Sequence, residues 1–118
     1  MSLHLELKAH IESHYADQLD GEAQLKQDAL LALFDSGLAL ELRYLNPNEY
    51  SIQWAWGDAE FRIDTAPLHK ELSTFPNHLH DADANLHPDT LTVPGREPWD
   101  NVRQLIDRLL QDPLLESS

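Results

Sequence analysis

The stretch Leu38–Thr65, LALELRYLNPNEYSIQWAWGDAEFRIDT, alternates apolar and polar residues through three segments separated by two turn signals. A period of two sends successive side chains to opposite faces of a strand. Leu38, Leu40, Leu42 and Tyr44 therefore share one face, as do Tyr50, Ile52, Trp54 and Trp56, and Phe61 with Ile63. Asn46-Pro47-Asn48 is a turn, and Gly57-Asp58 is a two-residue hairpin loop with glycine first, as a type II′ turn requires. A three-residue loop at 46–48 opposes Tyr44 to Tyr50, Leu42 to Ile52 and Leu40 to Trp54. A two-residue loop at 57–58 opposes Trp54 to Phe61 and Ile52 to Ile63. Every apolar residue then lands on one face, and a slip of one residue would break the pattern.

Upstream, ALLALF at 29–34 is apolar on both sides. It predicts a first strand covered on both faces or offered to a partner. Leu3, Leu7, Ile11 and Tyr15 recur every four residues, so 3–18 is expected to be an amphipathic helix ended by Asp20-Gly21. Its His10 and His14 stand at i, i+4, a spacing that suits zinc. The metalloprotease motif, however, needs Glu directly after the first His, and Ile11 stands there. Downstream, Leu91–Val93 fits a short edge strand. Pro98 fits the first turn of a helix over about 98–112, with Trp99, Val102, Ile106 and Leu109 in one stripe. The expected fold class is α+β: one domain, 1–118, with an antiparallel meander of four to five strands over about 29–66. A helix stands at each end, the C-terminal one packed on the Leu40/Ile52/Trp54/Phe61 face.

The chain has 118 residues, no cysteine, and 21 Asp+Glu against 8 Lys+Arg, a net charge of −13. Disulfide frameworks and thiolate metal sites are excluded. No segment has the length and apolarity to span a bilayer, and the Met1 end lacks a basic run followed by an apolar one. The expected location is the cytoplasm, with no membrane partner. At long range such a charge repels nucleic acid, so a nuclease reading needs a local exception or a partner. The charge also serves solubility, or a basic partner.

The chemistry gathers between Arg62 and His80, RIDTAPLHKELSTFPNHLH, where the chain leaves the meander at Pro67 and brings in His69, His78 and His80. A histidine-bearing loop is expected over 67–90. The polar face of the meander carries two cross-strand rows, Arg43–Ser51–Asp64 and Glu41–Gln53–Arg62. These read either as a solvated charge ladder or as an active face, with Arg neutralising phosphate and His moving protons. If extended, His78-Leu79-His80 points both imidazoles one way. With His87 and the acids Asp81, Asp83 and Asp89 it supplies donors for a divalent metal. Proton transfer without metal and structural hydrogen bonding are the other readings. No serine has a nucleophile-elbow context, and no glycine loop for phosphate is present.

The D-x-A-P-x-H run at Asp64–His69 and the F-P-x-H-x-H run at Phe75–His80, followed by a polar gap, a short strand and a closing helix, resemble the TumE family of small bacterial toxins. The resemblance covers about Ala29 to Leu110. It implies a growth-inhibiting toxin acting on RNA and neutralised by a helix-turn-helix antitoxin, with Asp64, His69, His78 and His80 as the matching polar positions. The expected activity is an endoribonuclease with His69 and one of His78/His80 as base and acid and Arg62 or Arg43 stabilising charge. A non-catalytic acidic binding protein, a homo-oligomer, and a metal-dependent hydrolase using His78, His80 and Asp81 or His87 are the alternatives.

Overall fold

A computed structural model describes residues 2–116, and Met1, Ser117 and Ser118 lie outside the described residues. Ser2 Oγ accepts the Leu5 amide at 3.0 Å and caps helix α1 (Leu3–His14). The helix is shorter than the expected 3–18. After Tyr15 the backbone turns toward the sheet, where Asp20 N donates to Leu33 O and Asp35 N to Gln18 O, both at 2.8 Å. Those bonds draw the chain out of the helix.

The sheet follows in strict chain order: β1 (Gln24–Leu25), β2 (Leu30–Leu33), β3 (Ala39–Asn46), β4 (Glu49–Trp56), β5 (Ala59–Asp64), β6 (His78–His80) and β7 (Leu86–Pro88). Helix α2 (Pro98–Gln111) closes the fold. The class is α+β and the sheet is an antiparallel meander, but it has seven strands among the described residues rather than four or five. The register of β3 to β5 is the one the turns dictate, with Tyr44 opposite Tyr50, Leu42 opposite Ile52, Ile52 opposite Ile63 and Trp54 opposite Phe61. The 46–48 turn differs in detail. Asn46 pairs with Glu49, and the register shift between Tyr44 and Asn46 falls at Leu45, which is left exposed.

The additional strands are short. β6 and β7 lie inside the segment expected as a loop, and the expected strand at Leu91–Val93 does not form. Its backbone groups are taken by side chains: Leu91 N by Asp89 Oδ1 and Val93 N by Asn101 Oδ1, while Val93 O accepts from Asn101 Nδ2. With Thr92 N on Asp89 Oδ1 and Thr92 O on Asn77 Nδ2, all three amides and two of the three carbonyls are committed away from a ladder.

One face of the sheet holds the core. Leu40, Leu42, Ile52, Trp54, Phe61 and Ile63 pack with Leu7 and Ile11 of α1 and with Val102, Leu105, Ile106 and Leu109 of α2. Each such burial is worth roughly 1.5–3 kcal/mol. Leu30, Ala32 and Phe34 join this face, which settles the side on which the doubly apolar first strand is buried. Tyr15 Oη donates to Asp107 Oδ1 at 2.6 Å and ties α1 to α2. His10 stacks on Trp99 (centroids 4.9 Å, 12°), and His14 lies 5.0 Å from the same ring. That i, i+4 pair thus packs around an indole at the helix seam. No helix among the described residues is long and apolar enough to cross a membrane.

Candidate active site

The second face of the sheet is polar, and β6 extends both of its rows. Asp64 pairs with His78 and Arg62 with His80, so the rows run Arg43–Ser51–Asp64–His78 and Glu41–Gln53–Arg62–His80. Cross-strand partners share a face, and both imidazoles therefore project from the same surface as Arg62 and Asp64. Leu79 points the other way and packs against the core.

The 65–77 segment turns back over this surface. Asp64 Oδ1 accepts the Ala66 amide at 3.1 Å, and successive turns are closed by Leu72 N→His69 O and Phe75 N→Leu72 O. His69 comes to rest beside β6, with its ring centroid 4.8 Å from that of His78 and 6.4 Å from that of His80; the two β6 rings are 4.9 Å apart. Three imidazoles from two stretches of sequence thus form one cluster.

Their surroundings differ. His78 is buried, with Nε2 at 2.9 Å from Asp64 Oδ1 and Nδ1 at 3.2 Å from Pro76 O. Both nitrogens face acceptors, so a neutral ring leaves one of the two contacts without a hydrogen. His80 and His69 have side chains 29% and 30% exposed. His80 Nε2 is itself buried and without a hydrogen-bond partner among the described residues, because Asp64 Oδ2 stands 4.0 Å away. Burial holds the His80 imidazole below its ordinary value. The Arg62 charge and the neighbouring His78 and His69 act the same way, against the opposing pull of Asp64. His69 Nδ1 lies 3.5 Å from Glu71 Oε1.

The arginines pair along their strands rather than across them. Arg62 Nε lies 3.2 Å from Asp64 Oδ2, and Arg43 Nη2 lies 2.8 Å from Glu41 Oε1. Both side chains remain nearly half exposed, available to an incoming anion. Arg43, Arg62 and Asp64 also line a cleft of about 430 Å³ whose floor is largely apolar, with Tyr44, Leu45, Ala66 and Pro67.

His87 does not reach the cluster. It pairs across from Leu79, on the opposite face from His78 and His80, and its Nε2 bonds Asp81 Oδ2 at 2.6 Å. A metal set of His78, His80 and His87 is therefore ruled out by strand geometry: one residue of offset reverses the face. Asp83 is exposed on the β6–β7 turn. Asp89 is buried, and its carboxylate accepts from Asn77 Nδ2, Thr92 Oγ1 and the amides of Leu91 and Thr92. Asn77 also donates to Thr92 O at 3.0 Å. This buried knot anchors the start of β6 and the exit of β7, and sequence reasoning missed it. The available signal was a group of Asn, Asp and Thr residues flanking the histidine pair.

A family model described as Toxin TumE matches residues 4–117, nearly the whole chain, so the match takes in α1 as well as the stretch that carries the motifs. No curated protein and no solved structure matches.

Proposed function

The chain belongs to that TumE toxin family, and on this premise we propose that it is the toxin of a toxin–antitoxin module and cleaves RNA by acid–base chemistry on the polar sheet face. His80, whose ring is partly open to solvent, takes the proton of a ribose 2′-hydroxyl. His69, the other accessible imidazole, gives a proton to the departing 5′-oxygen. Arg62 balances charge on the phosphorane. Asp64 holds Arg62 in place, and His78, buried and tied to Asp64 and Pro76, serves as the support on which the accessible rings rest. The cleft bounded by Arg43, Tyr44 and Leu45 has the apolar floor that a nucleobase needs beside its phosphate.

The reading is supported above all by the meeting of His69 with the β6 pair, since residues that fold back over a sheet to share one surface serve no core. Arg43 and Arg62 supply cations on this face, each set beside a carboxylate, in a chain of net charge −13. The acidic remainder of the surface suits a basic antitoxin of the helix-turn-helix, DNA-binding kind.

The test is cleavage of RNA by the pure protein in EDTA, together with growth inhibition on induction. His69→Ala and His80→Ala each lower cleavage by roughly 10²–10⁴-fold, relieve growth inhibition, and leave the fold and antitoxin binding intact. Growth inhibition that survives both substitutions would replace this mechanism with toxicity through binding alone. Cleavage abolished by EDTA would replace it with metal-dependent hydrolysis.

A further inference from the structure

We infer that Asp64, His78 and His80 form a binding site for a divalent transition-metal ion of the zinc type. The carboxylate and the two imidazoles offer three donor atoms that all lie within 4.8 Å of one another. His78 Nε2 lies 2.9 Å from Asp64 Oδ1, and His80 Nε2 lies 4.0 Å from the other oxygen, Oδ2; bonds of about 2.0–2.1 Å impose a donor spacing of about 3.3 Å around a tetrahedral ion. Rotation of the side chains about their χ angles draws the donors together around one ion.

Two further features point to a cation. His80 Nε2 is buried with no hydrogen-bond partner among the described residues. The Nδ1 of His78 faces the Pro76 carbonyl at 3.2 Å. A carbonyl on the outer nitrogen fixes the tautomer of a metal-ligating histidine and turns the lone pair of the inner one toward the metal. With the ring hydrogen on Nδ1, the Nε2 lone pair faces the Asp64 oxygen at 2.9 Å, where a cation would bridge them; in the other tautomer Nε2 donates to Asp64. The rest of the carboxylate is already oriented, Oδ1 by the Ala66 amide and Oδ2 by Arg62. Three protein donors leave a fourth position, on the side where His69 stands. The two imidazoles favour zinc, cobalt or nickel over magnesium or calcium, which take oxygen ligands.

The ion and the proposed ribonuclease chemistry compete for one imidazole, because His80 cannot accept a proton while ligating. Bound zinc is therefore expected to inhibit cleavage, and removing it to restore cleavage. The binding claim itself does not depend on any activity.

Protein purified without a histidine tag is titrated with Zn²⁺ against a chromophoric chelator, with Mg²⁺ as the control ion and Co²⁺ as the spectroscopic probe. The expected result is one Zn²⁺ per chain, a raised melting temperature, and the visible bands of cobalt bound to nitrogen and oxygen. His80→Gln and Asp64→Asn, checked for fold by circular dichroism, weaken binding by at least about tenfold. His87→Ala, which alters only the opposite face, leaves it unchanged. Failure to bind zinc would overturn the assignment, as would binding that survives His80→Gln and Asp64→Asn or is lost in His87→Ala.

Discussion

His78 and His80 stand one residue apart, share a strand and a face, and have different neighbours. The first is sealed under Pro76 and His69, and the second opens to solvent along one edge. A similar contrast separates Asp64 from Asp89. Asp64 meets arginine and imidazole at the surface, whereas Asp89 is 1% exposed and satisfied by hydroxyl, amide and backbone donors. Removing the Asp89 carboxylate strands Asn77, Thr92 and two backbone amides in a buried place. Asp89→Ala is expected to cost about 2–4 kcal/mol of stability, read as a lower urea midpoint at unchanged slope. A loss under about 0.5 kcal/mol, the range of ordinary surface changes, would show that the knot does not hold the strands. Nothing in PDTLT distinguishes a buried carboxylate from a turn aspartate, because both occur in polar, loop-forming sequence.

At the scale of elements, the sheet was legible where the strands are long. Eight-residue β3 and β4 carry enough alternation to fix the period, and the Pro47 and Gly57 turns fix the register. Three-residue β6 and β7 carry no period and owe their pairing to β5, to the Asp81 side chain that closes their turn, and to the Asp89 knot. Part of the site was legible for the same reason: Arg62 and Asp64 belong to a readable strand. The exclusion of His87 depends on a pairing that only the folded chain reveals.

The seam between α1 and β3 carries a pH dependence of its own. His4 Nε2 accepts the Tyr44 amide hydrogen at 2.9 Å beside the Leu45 irregularity, which requires that nitrogen to be unprotonated. Burial holds the His4 imidazole below its ordinary 6.5, with the nearby Asp28 opposing and Arg43 assisting. The folded state thus binds this proton less readily than the unfolded chain. The stability it contributes is complete above about pH 6.5 and is lost as pH falls toward the folded value. Urea midpoints at about pH 7.5 and about pH 5 are expected to differ less in His4→Gln, which keeps an acceptor but does not titrate, than in the wild type. An equal acid loss in both would remove His4 from the account.

Among the described residues, two helices seal one face of a seven-stranded meander and leave the other polar face uncovered by helix. The net charge of −13 discourages distant RNA, so the proposed cleavage would require Arg43 and Arg62 to capture it within about one Debye length, roughly 10 Å at moderate salt. Family membership implies an antitoxin partner.

RNA cut by the pure protein in EDTA records the mechanism at its ends. Attack by the 2′-hydroxyl, deprotonated by His80 and completed by His69, leaves a 2′,3′-cyclic phosphate on one fragment and a free 5′-hydroxyl on the next. Fragments with 5′-phosphates and 3′-hydroxyls, or RNA left whole by a protein that still arrests growth, would contradict it.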